Sequence, residues 1–266
     1  ESLGVAGPFA GSHKDALIIA GGANFAKPIW ATEKQWTQQI HVLAKEKGSY
    51  TWHDGGLLKK PIAYGASVTT KNGIVCMGGN DGSQTFRDVF LLQWDPIGKK
   101  TKTIIYPSLP EPCAYGQAAL VGTTIYLAGG QKGPDLDSTM NNFWSLDLSH
   151  ANVPEDFQWE TLKTWPGESR AFNLTVTQHN GYDDCIYVIS GRREFEGGAQ
   201  FLKDVWEFTP RTETWRSRAA LPRCVMAGSG IAIGHSHIFV LGGADGSLFF
   251  KADDLKDAHP GFPKEA

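Results

Sequence analysis

Five times in this chain a short apolar run stops at two small residues. Thr124-Ile125-Tyr126-Leu127-Ala128 ends in Gly129-Gly130. Ala16-Leu17-Ile18-Ile19-Ala20 ends in Gly21-Gly22, and Ile74-Val75-Cys76-Met77 in Gly78-Gly79. Cys185-Ile186-Tyr187-Val188-Ile189 ends in Ser190-Gly191, and His237-Ile238-Phe239-Val240-Leu241 in Gly242-Gly243. Runs of four or five β-branched and aromatic residues suit a strand buried on both faces. The glycines let the chain leave the sheet at angles other residues resist, close to neighbouring backbone. The second small residue, at 22, 79, 130, 191 and 243, recurs every 51 to 61 residues. That period means stacked repeats, each one supersecondary unit.

The rest of each unit repeats too. Small residues precede the run, as in Ala63-Tyr64-Gly65-Ala66-Ser67 and Ala114-Tyr115-Gly116. An Asp-Val-aromatic segment follows it, as in Asp204-Val205-Trp206, then a turn and a tryptophan such as Trp215. This is the kelch pattern, and the tryptophan reads as a packing residue between repeats. The expected fold is therefore all-β, a kelch-type β-propeller of four-stranded antiparallel blades forming a single domain over 1–266. The units fall at about 1–61, 62–112, 113–169, 170–222 and 223–266. The last contains two strands only. Four and a half blades do not close a ring, so an incomplete propeller is expected.

Composition narrows the partners. The formal charge is −3 with no basic run, which argues against nucleic acid and anionic membrane surfaces. No apolar run approaches the ~18 residues that a membrane-spanning helix needs. Cys76, Cys113, Cys185 and Cys224 lie in or beside predicted strands and read as small buried apolar residues, which leaves the compartment open. His235-Ser236-His237 has metal-like spacing but no Cys or carboxylate beside it, so neither a metal nor another cofactor is expected.

Residues 4–25 and 63–79 carry a narrower likeness. Gly4-Val5-Ala6-Gly7-Pro8-Phe9-Ala10-Gly11, with Ala20-Gly21-Gly22-Ala23-Asn24-Phe25, resembles the fifth blade of the bacterial N-acetylneuraminate mutarotases. Ala63-Tyr64-Gly65-Ala66-Ser67 with Gly78-Gly79 resembles their last blade. The blade order is that of a cyclically permuted branch. The resemblance implies six blades when complete, a periplasmic or secreted bacterial location, and interconversion of sialic acid anomers. Opening and reclosing the hemiketal needs a base for the anomeric hydroxyl and an acid for the ring oxygen. The family's Glu and Arg pair belongs to the sixth blade, past Ala266, and no residue here matches it.

Loops after the second strand and before the first should open on one face around the channel. That places Arg192, Arg193, Asn24, Asp81, Phe25 and Arg170 as candidate contacts to a small anionic sugar. Arginine suits a carboxylate. Asn24 and Asp81 suit sugar hydroxyls, or equally cap their own turns. Phe25 and Trp30 offer rings for stacking. A non-catalytic kelch module binding a glycan or protein stays open beside the isomerase, because propellers host many functions.

Overall fold

The computed structural model describes residues 4–26 and 32–247. The repeating run becomes the second strand of each sheet. The first sheet holds β1 (Phe9–His13) and β2 (Ala16–Ala20); a short ribbon, β3 (Ala23–Phe25) with β4 (Lys34–Trp36), intervenes before β5 (Gln39–Glu46) and β6 (Ser49–Leu57). The second holds β7 (Ala66–Thr70), β8 (Gly73–Met77), β9 (Val89–Asp95) and β10 (Lys100–Tyr106). The third holds β11 (Gln117–Val121), β12 (Thr124–Ala128), β13 (Phe143–Asp147) and β14 (Glu160–Thr161). The fourth holds β15 (Leu174–His179), β16 (Asp184–Phe195), β17 (Gly198–Thr209) and β18 (Thr214–Arg218); β19 (Ser229–Ile233) and β20 (His237–Leu241) pair alone. Each four-stranded sheet is antiparallel with its strands in chain order, and the first strand of each sheet lies beside that of the next. This is the all-β kelch propeller architecture.

Burial follows from that stacking. All five residues of β8 are buried, because sheets cover both of its faces. The glycines after it have no substitute without movement: Gly78 has φ +62°, and a Cβ there would stand 2.0 Å from the Cys113 carbonyl oxygen. The fourth repeat puts Ser190 at this place with φ 58°. Its hydroxyl donates to the Leu202 carbonyl at 2.9 Å and accepts from the Val225 N–H at 2.9 Å, which offsets a conformation unfavourable to a side chain. Trp215 packs on Phe143 at 4.9 Å and Trp165 at 5.9 Å, both in the preceding blade. The four cysteines are buried thiols.

Three expectations shift. The inner strands begin about three residues later than the small-residue runs, since Gly7, Tyr64, Tyr115, Phe172 and Ala227 all have positive φ and break the strand before it starts. The segment after Gly191 is not a loop: β16 runs on to Phe195 and turns through Glu196 and Gly197, at φ 50° and 77°, into β17. The long segment after Gly22 carries the β3–β4 ribbon. Trp30 lies outside the described residues, as do 248–266. Trp52, at 56% exposed, and Ile231, Phe239 and Leu241, at 55%, 49% and 60%, leave apolar side chains open on the first and fifth blades.

One blade-to-blade contact sets a pH dependence. The Trp94 N–H donates to His13 Nδ1 at 2.9 Å, joining β9 to the end of β1. Burial, helped by the charge of Lys14, holds the His13 pKa below its usual value. The neutral ring is the folded form. Its contribution is therefore complete above the unfolded pKa of about 6.5 and is lost as pH falls from there through the lower folded pKa. Chemical denaturation at about pH 7 and about pH 5.5 should show wild type losing more stability than His13→Asn, which keeps an acceptor and cannot titrate. Equal losses in the two proteins would exclude His13 as the source.

Candidate functional site

The positive-φ positions build the channel mouth. Backbone N–H groups at these positions donate to the carbonyl of the equivalent residue one blade earlier. Tyr64 reaches Gly7 at 2.7 Å, Tyr115 reaches Tyr64 at 2.7 Å, Phe172 reaches Tyr115 at 2.7 Å and Ala227 reaches Phe172 at 2.8 Å. The chain of bonds places the side chains one above another. Tyr64 and Tyr115 stack with centroids 4.9 Å apart, Tyr115 and Phe172 at 4.4 Å. Three half-buried rings thus pave the rim, where offset aromatic stacking is favourable.

The residue just before each positive-φ position bridges to the residue after the small pair: Ala6 to Ala23, Ala63 to Asn80, Ala114 to Gln131, Ala171 to Arg192 and Met226 to Ala244. This fixes the two groups of loops on one face, as the repeats predict. It also puts Arg192 on the rim, with its guanidinium carbon 4.4 Å above the Phe172 ring. Burial lowers the Arg192 pKa, against the opposing influence of Tyr115 and Cys224. A half-desolvated guanidinium on an aromatic floor attracts anions more strongly than a hydrated one.

A second cation stands at the other end of the stack. The β3–β4 ribbon leans over the rim, and Lys34 Nζ sits 4.4 Å from the Tyr64 ring centroid and 5.5 Å from that of Trp36. The Trp36 indole N–H donates to Asn80 Oδ1 at 3.2 Å. Between the ribbon and the second and third blades lies a cleft of about 200 Å³, lined by Lys34, Trp36, Asn80, Ser83, Thr85 and Tyr115 among others. It offers one ammonium, two ring faces, two amides and three hydroxyls.

The other candidates are committed locally. Arg170 is fully buried; it donates to both Asp204 carboxylate oxygens, at 2.9 and 2.7 Å, to the Ser190 carbonyl at 3.0 Å and to the Glu168 carbonyl at 3.2 Å. Four of its five donors are thereby occupied inside the fourth blade. Arg193 pairs with Glu168 and donates to Gln200 Oε1 at 2.6 Å. Asn24 donates to the Gly4 carbonyl and accepts from the Phe25 N–H at 2.7 Å. Phe25 is exposed at the ribbon's end. Asp81 caps its own turn. Burial raises its pKa, but bonds from Ser83 and Gln84 outweigh that and bring it to about 2. Of the six, Arg192 alone has its charged group on the aromatic stack. Lys34, Tyr115 and Phe172 were not singled out by residue type. The signal that marks two of them is positional, an aromatic two residues before the inner strand in consecutive repeats. Among the described residues no group of three or more His, Cys, Asp or Glu side chains is placed to hold a metal.

Fold and rim together define a kelch-repeat propeller protein. Residues 9–243 match the model of the KLHDC2/KLHL20/DRC7 Kelch-repeats domain, and the chain belongs to that family. Among curated proteins it is similar to the N-acetylneuraminate epimerase of Haemophilus influenzae (strain PittEE), 31% identical over 146 residues, 54% of this chain and 35% of the relative. The N-acetylneuraminate epimerase of Yersinia enterocolitica is 36% identical over 95 residues, 31% of this chain and 23% of the relative. The chain thus spans about a third or less of the length of these relatives. A solved structure of YjhT superposes with a TM-score of 0.71 at 13% identity, covering 91% of this chain and 78% of that one. Among the described residues no helix is long and apolar enough to cross a membrane.

Proposed function

We propose that this chain belongs to an N-acetylneuraminate mutarotase, an isomerase that binds sialic acid at the channel mouth and interconverts its anomers. The carrying observation is the cleft where Lys34, Trp36, Asn80 and Tyr115 converge. An acidic sugar has a carboxylate, an apolar ring face and hydroxyls. The cleft supplies an ammonium, aromatic rings and an amide to match. The similarity to curated N-acetylneuraminate epimerases supports the same substrate. In this reading Lys34 or Arg192 holds the carboxylate, the rings hold the pyranose, and the acid and base come from a blade outside the described residues. The propeller is one domain that further strands complete against the open faces of the first and fifth blades, and its home is the periplasm or the cell exterior.

One observation favours the binding module instead: no carboxylate lines the cleft, and the adjacent Asp81 is fixed in its turn. Proton NMR of the protein with its propeller complete, mixed with freshly dissolved α-N-acetylneuraminate, separates the two. An approach to the equilibrium anomer ratio well above the buffer rate supports the isomerase. Line broadening at the buffer rate supports the module. Neither effect would remove the sugar from both readings.

A further inference from the structure

The repeat of the interface tryptophan is broken once. Trp215 lies opposite Phe208 of the third strand of its sheet, and Trp52 opposite Leu43. Trp159 immediately precedes Glu160, which pairs with Ser145. In the second blade the residue opposite Leu92 is Thr103. The equivalence of these places is fixed by backbone: Gly21, Gly78 and Gly129 donate to the carbonyls of Gln39, Asp88 and Asn142, each four residues before Leu43, Leu92 and Leu146. Where the preceding blade is present, the indole fills the seam and its N–H finds a carbonyl there. Trp159 donates to Pro107 at 2.9 Å and Trp215 to Lys163 at 2.8 Å.

Between the first and second blades that seam is not filled. A cavity of about 240 Å³ opens beside Thr103, lined by Leu58, Ile62, Phe90, Ile105 and Tyr106 among others. Its floor is built: Leu58, Ile62 and Phe90 are buried, while Ile105 stands exposed at the rim. Charged side chains also line it: Lys60 pairs with Asp88 at 2.6 Å and lies over the Phe86 ring, and Lys59 adds one further positive charge. Trp94 occupies the same interface, further along β9, and does not line the cavity. An apolar cavity of roughly 150 Å³ already admits benzene. The larger space matches a fused bicyclic ring.

We propose that this inter-blade cavity is a binding site for a small flat aromatic molecule of the indole class, seated where Thr103 has displaced the repeat's tryptophan. The site lies on the outer strands, apart from the channel mouth, and does not depend on the sugar reading. The probe is indole itself, titrated into the chain with isotope-labelled methyl groups. Saturable shifts are expected at Leu58, Ile62 and Ile105, with half-saturation near or below ~1 mM and nuclear Overhauser contacts from indole to those methyls. Thr103→Trp should weaken indole binding at least tenfold and raise the melting midpoint by itself, by filling the seam. Thr103→Leu, a smaller change, should weaken binding less and serves if the larger side chain prevents folding. Absence of saturable shifts, contacts to other residues, or unchanged affinity in both variants would overturn the proposal.

Discussion

Arg170→Ala is expected to destabilise the protein by about 3 kcal/mol, the low end of the cost of breaking a buried ion pair, since the Asp204 side chain is 35% exposed. Arg170 is fully buried and donates to Asp204 through two parallel bonds. It also satisfies the Ser190 and Glu168 carbonyls and lies 5.3 Å from the Trp165 ring centre. Truncation strands all of these groups at once. For a chain of this size the melting midpoint should fall by roughly 10 °C. Asp204 adds a pH signature. Burial raises its pKa, but Arg170 and the Trp206 indole N–H outweigh burial and lower it. With a depressed folded pKa, this contribution is present above the unfolded value of about 3.9 and is lost as pH falls through the folded one. Arg170→Ala should lose most of that acid dependence as well as the stability. A variant that melts normally yet binds sugar poorly would instead return Arg170 to the ligand site.

That prediction also marks what sequence can and cannot reveal. The second strands and the kelch pattern were readable, because Gly-Gly after an apolar run is a local signal with a local cause. Residue type marks Tyr64, Tyr115 and Phe172 as aromatic but not as left-handed. Their conformation comes from a hydrogen bond to the preceding blade, a partner at least 51 residues away. The Arg192 segment read as a loop because Ser190-Gly191 ends the earlier pattern; the hairpin turns instead through Glu196-Gly197, both at positive φ, where a glutamate gives no hairpin signal. The pairing of Arg170 with Asp204 spans 34 residues and depends on sheet register, so sequence alone left Arg170 among the ligand candidates. The cleft was half legible. Residue type alone offers Phe25 and Trp30 as stacking rings in the segment after Gly22, whereas the placing of Lys34 over Tyr64 needed the ribbon.

Trp36→Ala should weaken binding of an acidic sugar by about 2 kcal/mol, roughly thirtyfold, since a tryptophan at the centre of a contact commonly carries that much. The indole supplies the broadest ring face in the cleft, and its bond to Asn80 fixes its tilt. Lys34→Ala should cost a similar amount by a different route, through loss of one charge-assisted hydrogen bond of about 1.5–3 kcal/mol. The two routes separate by comparing N-acetylneuraminate with its methyl ester. If Lys34 holds the carboxylate, Lys34→Ala matters for the acid and hardly for the ester, while Trp36→Ala weakens both alike. Raised salt should likewise reduce the lysine effect and spare the tryptophan effect. Should Lys34→Ala weaken acid and ester equally, the lysine only braces Tyr64 and Trp36. Arg192 would then be the cation to test next, because its guanidinium is the other one resting on the same stack of rings.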